Sequence, residues 1–460
     1  MSWAAEELKT ANLGDIRRNR RLVTIVEDLS AQPNASVTQA ARDNAALQGI
    51  YEFWANRRVK ASSILAAHRD STLERVAGEK IVLAVQDTTE LNFGKRTKKQ
   101  GLGSLSSPDA KGLFVHSVFC VSSLGVPLGV LHQKVWARKK IKRTGGYADR
   151  MRSISEKESQ RWLEGLKLTQ EWIEQPVQVV TVADREADIY ELFAEPRREG
   201  AEFLIRAHQG RGVKYSSTDI DIDGLHEAIG KTAVCGELTL ELQRTPKRKP
   251  RTAQLTVRKA SLYLQPPLHH PKRERLKPVR VNVILAQEEN PPPGEKAISW
   301  LLVTTLEVSN FEQACQCLRW YSYRWLIERY HYTLKSGCRL EQLQLEKAEA
   351  LERALATYAI VAWRLLWLTY EARCHPSVSV EGVLSQPEWQ VLYCYIHQTP
   401  VPPLVPPKLV DCVRWIAQLG GFLGRKSDGE PGVKTLWLGL QRLEDMAAIW
   451  QLKSFPQNEL

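Results

Sequence analysis

The chain is 460 residues long, with a formal net charge of +12 and a pI near 9.2. That length holds two or three domains around sizeable cores, and the cationic excess favours a polyanionic partner. The eight cysteines include no CxxC pair, which argues against a zinc site or a disulfide frame. Met1-Ser2-Trp3-Ala4-Ala5-Glu6-Glu7 lacks a basic leader with an apolar core. The most apolar stretch, Tyr358 to Tyr370, is short and carries Arg364. Neither a signal peptide nor a bilayer span is therefore expected, and a reducing cytoplasm is the expected compartment.

Residues 1 to about 70 read as helical. Arg17, Arg18, Arg20 and Arg21 crowd one early helix, and Pro33-Asn34-Ala35-Ser36 parts it from a segment running from Val37 to Trp54. The β-branched run Ile81 to Val85 fits a buried strand, and Gln86-Asp87-Thr88-Thr89 follows, so Asp87 is expected at the strand's exit. A basic run comes next, Lys95, Arg96, Lys98 and Lys99. Gly112 to Ser122 and Val126 to Trp136 alternate like an antiparallel hairpin turned at Leu124-Gly125. Ser155 to Glu158 reads as a capping box opening a helix to about Ile173. The run Val177 to Val182 predicts another strand, ending in Ala183-Asp184-Arg185-Glu186-Ala187-Asp188.

A short helix from Ala187 and a strand at Glu202 to Arg206 follow. Before the strand starting at Trp300, alternating runs at Glu237 to Leu242, Ala253 to Tyr263 and Val279 to Leu285 mark a β-rich insertion at about 212–299. It carries a basic, Pro-broken tract with Arg244, Lys247, Arg248, Lys249 and Arg251. A helix from Phe311, capped by Ser309 or Asn310, meets no Pro or Gly before Gly337. On one continuous helix turning about 100° per residue, Tyr321, Arg324, Glu328 and Lys335 fall within an arc of about 60° and form one patch. A phenol, a guanidinium, a carboxylate and an ammonium together suit a phosphodiester beside a metal ion. The plain alternative is an exposed face laced by an Arg324/Glu328 pair worth roughly a few tenths of a kcal/mol. The last region begins near His375, is interrupted by Pro400, Pro402, Pro403, Pro406 and Pro407, and closes in helices around Asp411 to Leu419 and Thr435 to Leu452.

Three strands, helix, strand, helix, strand, helix is the order of an α/β, ribonuclease H-like core, a mixed five-stranded sheet with flanking helices. In that layout the first and fourth strands lie side by side, so Asp87 and Asp184 are expected to be neighbours. With Glu328 they supply three carboxylates from three elements, the donor set that a pair of divalent cations takes.

Asp87-Thr88-Thr89, the segment Asp184 to Asp188 and the Tyr-x2-Arg-x3-Glu-x6-Lys spacing ending at Lys335 resemble the DDE transposases of the IS-four group, cut-and-paste enzymes of bacterial insertion sequences. The likeness includes Leu13-Gly14-Asp15-Ile16-Arg17-Arg18, His116-Ser117-Val118, Glu156-Lys157-Glu158-Ser159, Asn290-Pro291-Pro292, Trp300-Leu301-Leu302 and Leu419-Gly420-Gly421-Phe422. The resemblance implies that Asp87, Asp184 and Glu328 are catalytic and hold two Mg²⁺ ions, replaceable by Mn²⁺. Tyr321, Arg324 and Lys335 would grip phosphates at the cleaved end, with Arg206 and Trp325 as further DNA contacts. Trp300, twenty-one residues before Tyr321, would receive a base flipped out during hairpin formation. Residues 1–70, with Arg17, Arg18, Arg20 and Arg21, would recognise transposon ends. Residues 71–374 would be catalytic and 375–460 would dimerise. The implied partners are double-stranded DNA, as inverted-repeat ends and as target, and a second copy in a synaptic dimer, with no membrane. A same-fold nuclease that does not join DNA and a non-catalytic regulator derived from a transposase are the competing readings. The basic amino-terminal helix argues against the first and the intact carboxylates against the second.

Overall fold

A computed structural model describes residues 2–95, 98–107, 109–138, 152–242, 249–268, 270, 273–425 and 428–453. The amino-terminal helices are α1 (Trp3–Glu7), α2 (Ile16–Ala31), α3 (Val37–Ala40), α4 (Asn44–Ala55) and α5 (Ala61–Ala77). The strands β1 (Ile81–Asn92), β2 (Gly103–Ser104), β3 (Lys111–Ser122) and β4 (Pro127–Trp136) follow, then α6 (Gln160–Trp172), β5 (Gln178–Ala183), α7 (Tyr190–Ala194) and β6 (Ala201–Arg206). The insertion holds β7 (Gly212–Lys214), β8 (Asp223–Gly224), α8 (Leu225–Gly230), β9 (Val234–Leu242), β10 (Arg251–Leu264) and β11 (Val279–Gln287). Beyond it come β12 (Ser299–Thr304), α9 (Phe311–Ser322), α10 (Trp325–Tyr332), α11 (Ala348–Cys374), α12 (Gln386–His397), α13 (Leu409–Leu419) and α14 (Val433–Lys453). Among the described residues no helix is long and apolar enough to cross a membrane.

The chain divides into two compact units, one of residues 1–78, 88–140 and 326–460, the other of residues 79–87 and 141–325. In the second unit β1 pairs in parallel with β5, and β5 in parallel with β6. β12 then runs antiparallel to β6, β11 to β12, and β10 to β11, β9 and β7. The fold is mixed α/β with a ribonuclease H-like core, but its sheet is larger than five strands because β11 hydrogen-bonds directly to β12. The core of this unit joins Trp162, Leu163 and Leu166 of α6 to Phe203, Ile205, Leu262 and Val283 of the sheet. Parallel strands covered on both faces read as continuous apolar runs, which is why β5 was legible.

In the first unit β3 and β4 form the expected hairpin, turned at Gly125 with φ at +93°. The spine is α11. Its Arg353 is buried and donates to the carbonyls of Val59 (2.7 Å) and Trp54 (2.8 Å). Trp54 in turn donates to Thr357 (3.3 Å), and Trp363 to the carbonyl of Pro127 (3.0 Å). The Arg353 bond to Trp54 satisfies one of the open carbonyls at the end of α4.

Several sequence expectations shift. Asp87 lies inside β1, which continues to Asn92, because Thr88 to Asn92 carry on the extended backbone into the first unit. The capping box is Ser153 with Glu156 and opens a 3-10 turn, whereas the helix proper starts at Gln160. The helix expected from Phe311 to Tyr332 is broken. It begins on an Asn310 cap, ends at Ser322, and resumes at Trp325, with a π turn over Thr333–Gly337. Tyr321, Arg324, Glu328 and Lys335 therefore do not share one helix face.

His68, fully buried, accepts a hydrogen bond from the Val130 N–H at Nε2 (2.9 Å), so its proton sits on Nδ1, 2.6 Å from Glu7 Oε1. Burial pushes the His68 pKa below its ordinary 6.5. Burial alone would raise Glu7, but His68 and Arg75 more than offset it and leave its carboxyl low. A depressed histidine stabilises the fold above its unfolded pKa, and that contribution is lost as pH falls from about 6.5 through the folded value. Thermal melts should thus show a lower midpoint at pH 5 than at pH 7.5. His68→Gln should shrink that difference, and an unchanged difference would acquit His68.

Candidate active site

The register of β1 on β5 runs from Ile81 opposite Gln178 to Val85 opposite Val182. The pairing ends there, β5 ends at Ala183, and Asp87 and Asp184 each follow two residues beyond the last paired position. Alternation along β1 turns Gln86 and Asp87 to opposite faces. Gln86 is fully buried against α6, where a Cβ on Gly165 would come 2.5 Å from its Oε1, and Asp87 emerges on the other side. Asp184 caps the turn Arg185–Ala187, its Oδ1 accepting from the Glu186 N–H at 2.9 Å.

Against these carboxylates the second unit sets an aromatic and cationic wall. Arg324 Nη1 lies 3.8 Å from Asp87 Oδ2. Its guanidinium is 6.0 Å from the Tyr321 ring and 5.7 Å from that of Trp325, which is 59% exposed. Tyr321 is only 5% exposed, and burial raises its phenol pKa. Arg324 and Arg206 oppose that rise, while Asp184 adds to it, so these side chains share one electrostatic neighbourhood. Trp300 meets the Tyr321 ring edge-on at 6.0 Å. It is half-buried, on β12 opposite Ala286, and lines a cavity of about 900 Å³ with Arg206, His208, His226, Glu227 and Lys296. Arg206 donates to the Ser299 carbonyl at 2.9 Å.

Three family models match in order: a transposase DNA-binding model over residues 1–59, a transposase DDE domain over 155–364 and a transposase Tn5 dimerisation domain over 360–450. The chain belongs to the DDE transposases of the Tn5 and IS-four type. It is a DNA transposase, a DNA-binding enzyme with a dimerisation domain, and DDE domains generally work with divalent metal ions. The oxygen donors of Asp87 and Asp184 fit such an ion by hardness. Among the described residues, no three His, Cys, Asp or Glu side chains are gathered closely enough to hold one.

The remaining candidates of this transposase lie in the first unit. Glu328 is half-buried on α10. Lys335 sits in the π turn with Nζ 3.9 Å from Glu341 Oε1. His331 is buried, and its pKa is pushed down to about 3 by burial and then by Lys335. On α2, Arg17 pairs with Asp15 at 2.9 Å and Arg18 donates to the Leu13 carbonyl at 2.9 Å. Arg20 and Arg21 are exposed, and a Cβ on Gly49 would come 2.6 Å from Arg21 Nη1.

The other basic runs are partly committed internally. Lys99 donates to the carbonyls of Leu343 and Leu345, both at 2.7 Å, and Arg251 forms a bidentate pair with Glu288. Arg96, Arg244, Lys247 and Arg248 lie outside the described residues.

The sequence singles out Asp184 as the candidate ligand and leaves Asp188 without a role, and the two do different work. Asp188 is buried, accepting from the backbone N–H groups of His208 and Gln209, both at 2.7 Å, and from Arg211 Nε at 2.6 Å. It ties down the loop that leads from β6 into the cavity wall. Removing one partner of a buried pair costs about 3–5 kcal/mol. Asp188→Asn should therefore lower the melting temperature by several degrees, whereas Asp184→Asn should leave it near wild type. Equal midpoints for the two variants, read by calorimetry, would contradict this division.

Proposed function

We propose that the chain is a cut-and-paste transposase in which Asp87, Asp184 and Glu328 are the metal-binding carboxylates. It would bind inverted-repeat ends, nick and excise the element by a hairpin route and join its 3′ ends to target DNA. The observation that supports the reading is the parallel pairing of β1 with β5 up to Val85 opposite Val182, each chain reaching an aspartate two residues on, with Arg324 Nη1 3.8 Å from Asp87 Oδ2. Glu328 joins them through the motif spacing. Two Mg²⁺ or Mn²⁺ ions would activate water or a 3′-hydroxyl and stabilise the departing oxygen.

The chain's own groups supply positioning. Arg324 offers a planar fork for a phosphate, Lys335 a point charge and Tyr321 a hydroxyl donor. Arg206 and the exposed Trp325 extend the contact surface for DNA. Trp300 would present an indole face to a base leaving the stack, and its half-buried place in the lining of a cavity supports stacking over a purely structural role. Arg17, Arg18, Arg20 and Arg21 would bind end DNA within residues 1–70, residues 71–374 would catalyse, and 375–460 would pair two copies in the synaptic complex. Such a protein would work on the nucleoid in the cytoplasm.

Asp87→Asn, Asp184→Asn and Glu328→Gln should each abolish Mg²⁺-dependent nicking while leaving end binding nearly intact, and a double variant should be little worse than a single one. Near-normal nicking by any of them would remove that residue from the site. A strand-transfer assay separates a transposase from a nuclease of the same fold, which would cut without joining. Trp300→Ala should spare the first nick and slow hairpin formation, with an abasic nucleotide at the flipped position partly restoring the rate. Equal loss of both steps, with a lowered melting temperature and no abasic rescue, would make Trp300 structural.

A further inference from the structure

Within the first unit, the β3–β4 hairpin grips α10 through polar atoms. Tyr330 and His331 stand two and three residues beyond Glu328, so at about 100° per residue they point roughly 160° and 60° away from it. Both are buried. The Tyr330 ring stacks on Phe119 with centroids 4.9 Å apart, and its hydroxyl accepts from Gln133 Nε2 at 2.8 Å. The same amide lies 3.2 Å from Ser117 Oγ, which in turn lies 3.3 Å from His331 Nε2. Ser117 and Gln133 are cross-strand partners. Two consecutive helical residues are thus pinned to one point of the hairpin, which fixes the rotation and the depth of α10. The preceding residue on β3, His116, is buried with Nδ1 2.9 Å from Oγ1 of Thr88, the residue next to Asp87.

Stability alone does not account for this arrangement. Among the described residues Gln133 Oε1 is buried without a hydrogen-bond partner. An unsatisfied buried group of that kind costs about 1–3 kcal/mol, a cost that an apolar side chain packed on Tyr330 would avoid. What the polar atoms add is direction. Apolar packing tolerates a helix turning about its axis, whereas hydrogen bonds linking Tyr330 and His331 with one pair of hairpin residues do not.

We propose that the Ser117, Gln133 and Tyr330 network is a positioning device that aims the Glu328 carboxylate, an inference that rests on the reading of Glu328 as a metal ligand. Partners that orient metal-ligating groups typically govern metal affinity or activity by 10- to 100-fold, and misplacement of a reacting group by about 1 Å can cost on the order of 100-fold.

Tyr330→Phe removes one oxygen and keeps the ring on Phe119, and Ser117→Ala tests the same network from the hairpin side. For the full-length chain, Mn²⁺ binding is read from loss of the free-ion electron paramagnetic resonance signal, without DNA. The Mg²⁺ dependence of nicking is read on a labelled duplex carrying the inverted repeat that flanks the coding region. Both variants should weaken Mn²⁺ binding and raise the Mg²⁺ half-saturation about 10- to 100-fold. Excess Mn²⁺ should restore nicking, with end affinity near wild type and the chain folded at the assay temperature. A lowered melting temperature with unchanged metal dependence would assign the network to stability and overturn the proposal. Asp87→Asn and Glu328→Gln run alongside as controls. If they nick like wild type, the catalytic reading itself fails. If they are inactive while Tyr330→Phe and Ser117→Ala bind Mn²⁺ and respond to Mg²⁺ like wild type, only the positioning role fails.

Discussion

Everything proposed for the site depends on the register of one parallel strand pair. β1 and β5 are far apart in the chain, and a slip of one residue between them would turn Asp184 away from the face that Asp87 occupies. The register is held by buried residues, Val82 to Val85 against Val179 to Val182, all apolar except Thr181. Gln86 locks it from behind, since its amide fills the space left by the missing side chain of Gly165. The proposed chemistry would therefore sit on a largely β-branched core that has no chemical function of its own. A conservative change in that core, such as Val180→Ala, acts on the site through the same register.

The cations divide by environment rather than by count. Arg353, Lys99, Arg211 and Arg251 are spent on backbone carbonyls or buried carboxylates, and their charge serves the fold. Arg324 is different. It lies 3.8 Å from Asp87 and within 6.0 Å of two aromatic rings, one buried and one open to solvent, a setting that would suit the proposed exchange of a carboxylate contact for a phosphate. The matched DNA-binding segment and the matched dimerisation segment meet on one helix, α11. Arg353 and Thr357 hold Trp54 and its neighbours, and Arg364 lies 4.9 Å from the Trp3 ring and 4.6 Å from that of Trp367. Moving one segment against the other would mean breaking buried hydrogen bonds on this spine.

The parts legible in the sequence are those governed by periodicity and local chemistry. The β-branched runs gave β1 and β5, the strict alternation gave the β3–β4 hairpin, and Asn310 gave the start of α9. The extent of β1 was not legible, because Thr88 to Asn92 look like a turn until a neighbouring strand takes up their backbone groups. Nor was the role of Asp188, since an aspartate four residues after another reads the same whether it binds an ion or anchors a loop. Its signal lay in Arg211, but pairing those two residues requires knowing that β6 returns the chain to that spot. The Gln133 to Tyr330 contact spans a still longer separation and has no local signature at all.

The break after α9 shows how tertiary contacts overrule a helical sequence. Nothing between Phe311 and Tyr332 disfavours a helix, and propensity alone would run it through. A straight helix, however, would fix the angle between Tyr321 and Glu328 and carry Arg324 along with them. In the structure the Tyr323 and Arg324 N–H groups bond three residues back, to the Trp320 and Tyr321 carbonyls at 3.1 and 3.0 Å, and the chain then restarts at Trp325. The break coincides with the boundary between the two units. Tyr321 is thereby held by the sheet that carries the aspartates, and Tyr330 by the hairpin. The motif spacing thus describes two anchored pieces joined by Tyr323 and Arg324, and each piece takes its orientation from the surface it packs on rather than from the helix it was expected to continue.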